Sequence, residues 1–180
     1  LPAWFNFVFS SVRLLALRKR APSADEAEDA RPVGISCALR RAVTKAIFAN
    51  ASLKETFAGH LAPQQLGVAV AAGATKLIIG LRELLDAELS FGIFTLDISN
   101  AFNSVSRAAV LRQLSDSSVP GEIRALARLA HATLGPQAPV FAGGGSGGAP
   151  LTQLPFRSSE GVQQGSVEGS YFFAVAIQPA

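Results

Sequence analysis

Phe91-Gly92-Ile93-Phe94-Thr95-Leu96 is almost continuously apolar, β-branched or aromatic, and it ends on Asp97. A run this short and this apolar predicts a central strand buried on both faces, since water would be a poor environment for either side of it. A buried strand that closes on a carboxylate aims that carboxylate into a cleft. Asp97 is therefore the first residue to ask for chemistry.

Other elements follow from periodicity and punctuation. Val12 to Leu17 is an aliphatic run ending in Arg18-Lys19-Arg20, Ala21 to Ala30 is charged and contains a proline, and Arg31-Pro32-Val33-Gly34-Ile35 follows, which predicts strand, loop, strand. Ala38 to Ala49 spaces Leu39, Ala42, Val43, Ala46 and Ile47 as one helical stripe, with Arg40, Arg41 and Lys45 as a cationic face. Helices are predicted over Ser52 to His60, ended by Pro63, and over Thr75 to Leu89, with Leu77, Ile78, Leu81, Leu84 and Leu85 on one stripe. Ser106 caps a helix from Arg107 to Leu114, and Pro120 opens one from Gly121 to Leu134. A glycine-dominated hairpin loop, Phe141 to Pro150, joins strands near Ala138 to Ala142 and Leu151 to Arg157, and a last helix runs from Val167 to Gln178.

At 180 residues the chain has the size of one domain of roughly 100 to 200 residues. It is 49% hydrophobic and only 16% charged, against about 25% charged in a typical domain, so disorder is excluded and an incompletely covered surface is expected. The start at Leu1 and the lack of methionine are what a piece of a longer reading frame would show. Cys37 is alone, which excludes an internal disulfide framework or a cysteine-cluster zinc site and points to a reducing, intracellular compartment. Leu1 to Leu17 is apolar but broken by Asn6 and Arg13. It matches neither a secretory signal nor a membrane span, so no membrane partner is expected. The net charge of +3 is modest, yet Arg13, Arg18, Lys19, Arg20, Arg31, Arg40, Arg41 and Lys45 crowd the first quarter and form a patch suited to a polyanion.

Two glycine patterns are decoys. Gly143, Gly145 and Gly148 fit a dinucleotide fingerprint and Gly144 to Gly148 fits a nucleophile elbow, but both require a helix to begin there, and Gly147-Gly148-Ala149-Pro150 cannot begin one. No histidine follows Ser146, His60 and His131 are isolated, and Gly73-Ala74-Thr75-Lys76 lacks the glycine a phosphate-binding loop needs. Three other segments carry the information. Leu96 to Ser106 places Asp97 at a strand exit and Phe102 five residues on; a carboxylate and the adjacent Ile98 carbonyl are two of the hard oxygens that hold magnesium against a triphosphate. Gly161-Val162-Gln163-Gln164-Gly165 lets backbone approach a nucleic-acid strand, with an amide beside it for hydrogen bonds. Lys19 and Arg31 flank a basic hairpin able to hold phosphates.

In this order, Arg-Pro-Val on a basic hairpin, Leu-Asp-x-x-x-Ala-Phe-Asn-Ser-Val and Gly-Val-Gln-Gln-Gly, the segments resemble the reverse transcriptase domain of non-LTR retrotransposons over nearly the whole chain. The resemblance implies an α+β fragment of a right-hand polymerase, residues 12 to 90 mainly fingers and 91 to 180 mainly palm, truncated before the Tyr/Phe-x-Asp-Asp hairpin. It implies magnesium, an RNA template, a DNA primer and deoxynucleoside triphosphates, and for a retroelement the nucleus is a plausible compartment. Asp97 would be the first catalytic and metal-binding aspartate, with the Ile98 carbonyl beside it. Phe102 would exclude a 2′-hydroxyl, Gln164 and Gly165 would touch template and incoming nucleotide, and Lys19 and Arg31 would touch the triphosphate. The strand Phe91 to Leu96 would have one open edge, where the family's carboxylate hairpin pairs. Gly-Ser-Val-Glu-Gly-Ser departs from the family's Gly-Asp-Pro-Leu-Gly-Pro and puts Glu168 near an anionic substrate. Two alternatives stay open: a decayed, non-catalytic nucleic-acid-binding remnant, and a plain α/β interaction domain in which Asp97, Phe102 and Gln164 share no cleft.

Overall fold

A computed structural model describes residues 2–18, 30–88, 90–143 and 149–178. The chain is mixed α+β, with a four-stranded open sheet in the order β2-β1-β3-β4. Here β1 is Val12–Arg18, β2 Ala30–Ser36, β3 Ala138–Ala142 and β4 Thr152–Ser158. β1 pairs antiparallel with β2 and parallel with β3, and β3 pairs antiparallel with β4. β4 is the outer strand on one side, where Pro155 and the exposed Arg157 suit an edge.

The helices are α1 Ala3–Ser10, α2 Ala38–Ala49, α3 Ala51–Leu61, α4 Gly73–Ala87, α5 Ala101–Ser104, α6 Arg107–Ser115, α7 Gly121–Arg124, α8 Ala127–Thr133 and α9 Val167–Ile177. Their caps follow the sequence. Asn50 accepts from Leu53 N at the start of α3, and Ser106 accepts from Ala109 N at the start of α6. The single helix expected over Gly121 to Leu134 is two. Leu126 N bonds Ile123 O, a tighter i to i+3 turn that lets Ile123, Leu126 and Ala130 all reach the interior. α1 has no counterpart among the sequence expectations; its first amides bond Pro2 O, and Phe9 and Ser10 bury its last turn. The core lies among α2, α3, α6, α7, α8 and α9, with Phe48, Phe57, Leu114, Ile123 and Phe172 at its centre. The Tyr171 and Phe48 rings lie 4.4 Å apart with their planes tilted by 34°.

Three expectations are overturned. Phe91 to Leu96 forms no strand, and residues 91 to 100 are all exposed, Phe94 to 85% and Leu96 to 81%. Apolar character makes burial favourable but supplies no neighbouring edge. Among the described residues no strand lies beside this segment to satisfy its backbone. The stripe of α2 is also turned: Arg40, Thr44 and Phe48 face inward, Leu39 is 54% exposed, and only Arg41 and Lys45 remain as solvent cations. Glu168 is buried against Arg40 rather than near a substrate surface. The α4 stripe exists as read, but it is uncovered, with Leu77, Ile78 and Leu84 about half exposed or more.

Exposed apolar surface of this extent is expected to drive self-association. Sedimentation velocity over a concentration series should show it, and Phe94→Ser with Leu96→Ser should suppress it. A monodisperse wild-type monomer at every concentration would contradict the expectation.

Candidate functional site

The segments singled out in the sequence meet through their backbones. Val162 N donates to Phe102 O at 2.7 Å and Gly161 N to Val105 O at 3.0 Å, joining two motifs about sixty residues apart. Gly34 N donates to Gln164 O at 3.1 Å, which attaches β2 to the same junction. Two glycines permit the closeness. Gly161 has φ +73° and an added Cβ would stand 2.3 Å from Asn103 O; Gly165 has φ +99° and its Cβ would meet Val33 Cγ1 at 2.9 Å.

Arg107 locks this turn. Its Nε donates to Gly161 O at 2.8 Å, Nη1 to Gly135 O and Ser158 O, and Nη2 to Ser158 Oγ and Glu160 O. Burial pulls the guanidinium pKa down to about 10, the charge of Arg40 pushes the same way, and Glu160 opposes. It therefore stays protonated at neutral pH and uses its donors to fix four backbone carbonyls. The sequence reading passed over Arg107, although a clue existed. A cation in the first turn of a helix opposes the helix dipole, so something outside the helix must hold it. Arg40 in the first turn of α2 carries the same clue, while Glu168 in the first turn of α9 suits its own dipole.

A cavity of about 270 Å³ opens at the junction, lined by Leu14, Gly34, Asn103, Phe156, Gln163 and Gln164 among others. Gln164 is half-buried in its lining, and the next residue, Gly165, is exposed. Gln163 is 7% exposed, and neither polar atom of its amide has a hydrogen-bond partner among the described residues. Ser166 then caps α9, accepting from Gly169 N at 3.1 Å.

The other candidate residues lie elsewhere. The Phe102 ring stacks on Phe173 at 4.8 Å with planes 15° apart, half-buried at the margin of the core, and it does not line the cavity. Asp97 and Ile98 are exposed on the irregular segment and do not line it either, which corrects the expectation of one cleft shared by Asp97, Phe102 and Gln164. The cause is the missing strand: without it nothing directs Asp97 inward. Arg31 stands on β2 opposite Leu17. Lys19 lies outside the described residues, as do Gly144 to Gly148. The chain continues from Pro150 directly to β4, so no helix follows the glycine run as either decoy would require.

A magnesium site needs several oxygen donors in octahedral array. Among the described residues no three His, Cys, Asp or Glu side chains converge. Asp97 and the Ile98 carbonyl offer one carboxylate and one carbonyl, too few by themselves for an octahedral magnesium centre. No helix among the described residues is long and apolar enough to cross a membrane. No family model, curated protein or solved structure matches this chain.

Proposed function

We propose that the chain is the fingers and part of the palm of an RNA-directed DNA polymerase of the non-LTR retrotransposon type. The observation that carries this reading is the backbone junction of residues 102–105, Gly161 to Gln164 and Gly34, since polymerase chemistry requires these segments to form one surface. On this reading the exposed Gly165 backbone and the Gln164 amide meet the template and the incoming deoxynucleotide. Arg107 acts as a positioning residue, holding the turn that presents them. Magnesium would supply charge neutralisation at the triphosphate, with Asp97 and the Ile98 carbonyl as this chain's ligands. One carboxylate does not hold two ions, so no chemical step is derived through the metal.

A second reading, a non-catalytic nucleic-acid-binding or interaction domain, is favoured by one observation: Asp97 does not line the cavity. Primer extension on an RNA template with magnesium separates the two. The 180-residue chain alone should extend nothing. If the parent protein continues with paired aspartates, the longer chain should extend, lose extension by at least about a thousandfold with Asp97→Asn, and accept ribonucleotides with Phe102→Val. Undiminished extension by Asp97→Asn would remove the metal role, and no extension by the completed chain would favour the second reading.

A further inference from the structure

A buried amide with nothing to bond is a poor choice for stability. Gln163 is 7% exposed, both polar atoms of its side chain are shielded from water, and neither has a hydrogen-bond partner among the described residues. Such a group destabilises a fold, whereas a leucine would fill much the same volume without that cost. Its base is held in place. The Gln163 carbonyl accepts from Ser166 N at 3.2 Å and from Ser166 Oγ at 3.0 Å, and Gly34 lies over the stem, where a Cβ would stand 3.6 Å from Gln163 Cβ and 3.7 Å from its Cγ. The freest part of the side chain is its end, which turns about Cγ–Cδ, a soft torsion.

Gln163 stands in the lining of the 270 Å³ cavity, and the rest of that lining says what could meet its amide. The wall formed by Val12, Leu14, Val140, Phe156 and Val162 is apolar, so water against it finds few of the roughly two to four polar partners it needs. Arg107 directs five hydrogen bonds to protein oxygens, and Arg157 and Glu160, both exposed, bring one charge of each sign. A neutral ligand fits best. The volume lies just below the roughly 300–1,000 Å³ of sites for drug-sized molecules, which suits one small ring. The amide narrows the class further, because it offers a donor and an acceptor side by side, and pairing both at once needs an acceptor and a donor on one edge of the ligand. A trans peptide points its N–H and C=O in opposite directions. A ring amide or amidine is held cis, presents both groups on one edge and adds a flat face for the apolar wall; glutamine pairs with adenine in this bidentate way.

We propose that this cavity binds a neutral planar heterocycle with a cyclic amide or amidine edge, the chemistry of a nucleobase, and that the Gln163 amide turns about Cγ–Cδ to hold that edge with two hydrogen bonds. The ligand supplies the partners that the described residues do not. The site is separate from the Gln164 and Gly165 contacts proposed above and does not rest on the chain being a polymerase, since its test reads binding of a base alone. A free base and a base of single-stranded nucleic acid share this chemistry, and the test separates them.

The full 180-residue chain, labelled with nitrogen-15, is titrated with 1-methyluracil, a ring amide, and with 1-methylcytosine, a ring amidine, while NMR follows the side-chain amide signal of Gln163. Its absence from the spectrum of Gln163→Leu identifies that signal. Both bases should move it saturably, because the amide pairs with either edge by turning over. 1,3-Dimethyluracil keeps the ring but loses the N–H, and it should bind at least about tenfold more weakly than 1-methyluracil. N-methylacetamide, a trans amide, should leave the signal in place. Gln163→Leu should abolish binding and raise the melting temperature by about 3–8 °C, because two unpaired polar atoms leave the interior. A uridine tetranucleotide that binds about tenfold or more tightly than 1-methyluracil identifies a strand as the ligand; a smaller gain, or none, identifies the free base. An unmoved Gln163 signal with both bases, equal affinity for 1-methyluracil and 1,3-dimethyluracil, or N-methylacetamide binding as tightly as the bases would overturn the proposal. A Gln163→Leu chain less stable than its parent would assign the amide to the fold and overturn it as well.

Discussion

Glu168→Gln should lower stability by about 3–5 kcal/mol, although the side chain keeps its shape and its place. Arg40 is fully buried, with Nε donating to Glu168 Oε1 at 2.8 Å and Nη2 2.7 Å from the same oxygen. Its other contacts are long hydrogen bonds from Nη1 to Thr133 O at 3.3 Å and Phe9 O at 3.5 Å. Burial alone lowers the Arg40 pKa, and the Glu168 carboxylate is the chief influence opposing it. Neutralising Glu168 therefore leaves a buried cation facing an amide. For a domain whose total stability is on the order of 5–15 kcal/mol, such a loss is a large fraction. The melting temperature should drop by about 10 °C. Replacing the pair together, Arg40→Met with Glu168→Leu, should restore most of the loss, because the charge goes with its partner and apolar volume fills the site. Chemical denaturation of the four-member cycle measures the coupling. A loss under about 1 kcal/mol for Glu168→Gln would mean that water reaches the pair.

That pair also shows where sequence reasoning stopped. The β1–β2 hairpin, the bounds of α2, the cap of α6, the β3–β4 hairpin and α9 all rest on local signals, and all were legible. The inward face of α2 was not, because it is chosen by a carboxylate 128 residues away. An arginine on a helix reads as solvated until its partner is known. Residues 91 to 96 failed for a related reason, since a strand is a property of two segments and only one is visible in a window of sequence. The junction itself was legible as a set of motifs, but its fastening by Arg107 was not. Five hydrogen bonds to residues 28 to 54 positions away leave no local pattern beyond a cation in an unfavourable helix turn.

Alanine for glycine should have opposite effects at two positions, and the difference tests the junction directly. Gly80 sits within α4 and an added Cβ would meet nothing within 4 Å. There Gly80→Ala should stabilise by about 0.5–1 kcal/mol through helix propensity alone. Gly161 has φ +73°, and the same methyl would fall 2.3 Å from Asn103 O and 2.5 Å from Asn103 C and Cα. These are backbone atoms that no rotamer change can move aside. Relief requires the 161–162 segment to draw away from α5, which breaks the bonds to Val105 O and Phe102 O and pulls Gly161 O from Arg107 Nε. Left-handed strain, two lost backbone bonds and a disturbed buried guanidinium together should cost roughly 3–5 kcal/mol. Urea denaturation of the two variants beside the parent gives both signs in one experiment. Gly161→Ala should also loosen the turn that carries Gln164, so photocrosslinks from a 5-bromodeoxyuridine oligonucleotide to residues 158 to 165 should fall. A Gly161→Ala chain as stable as its parent would mean that the two motif segments do not touch in solution, and the polymerase reading would lose the observation that carries it.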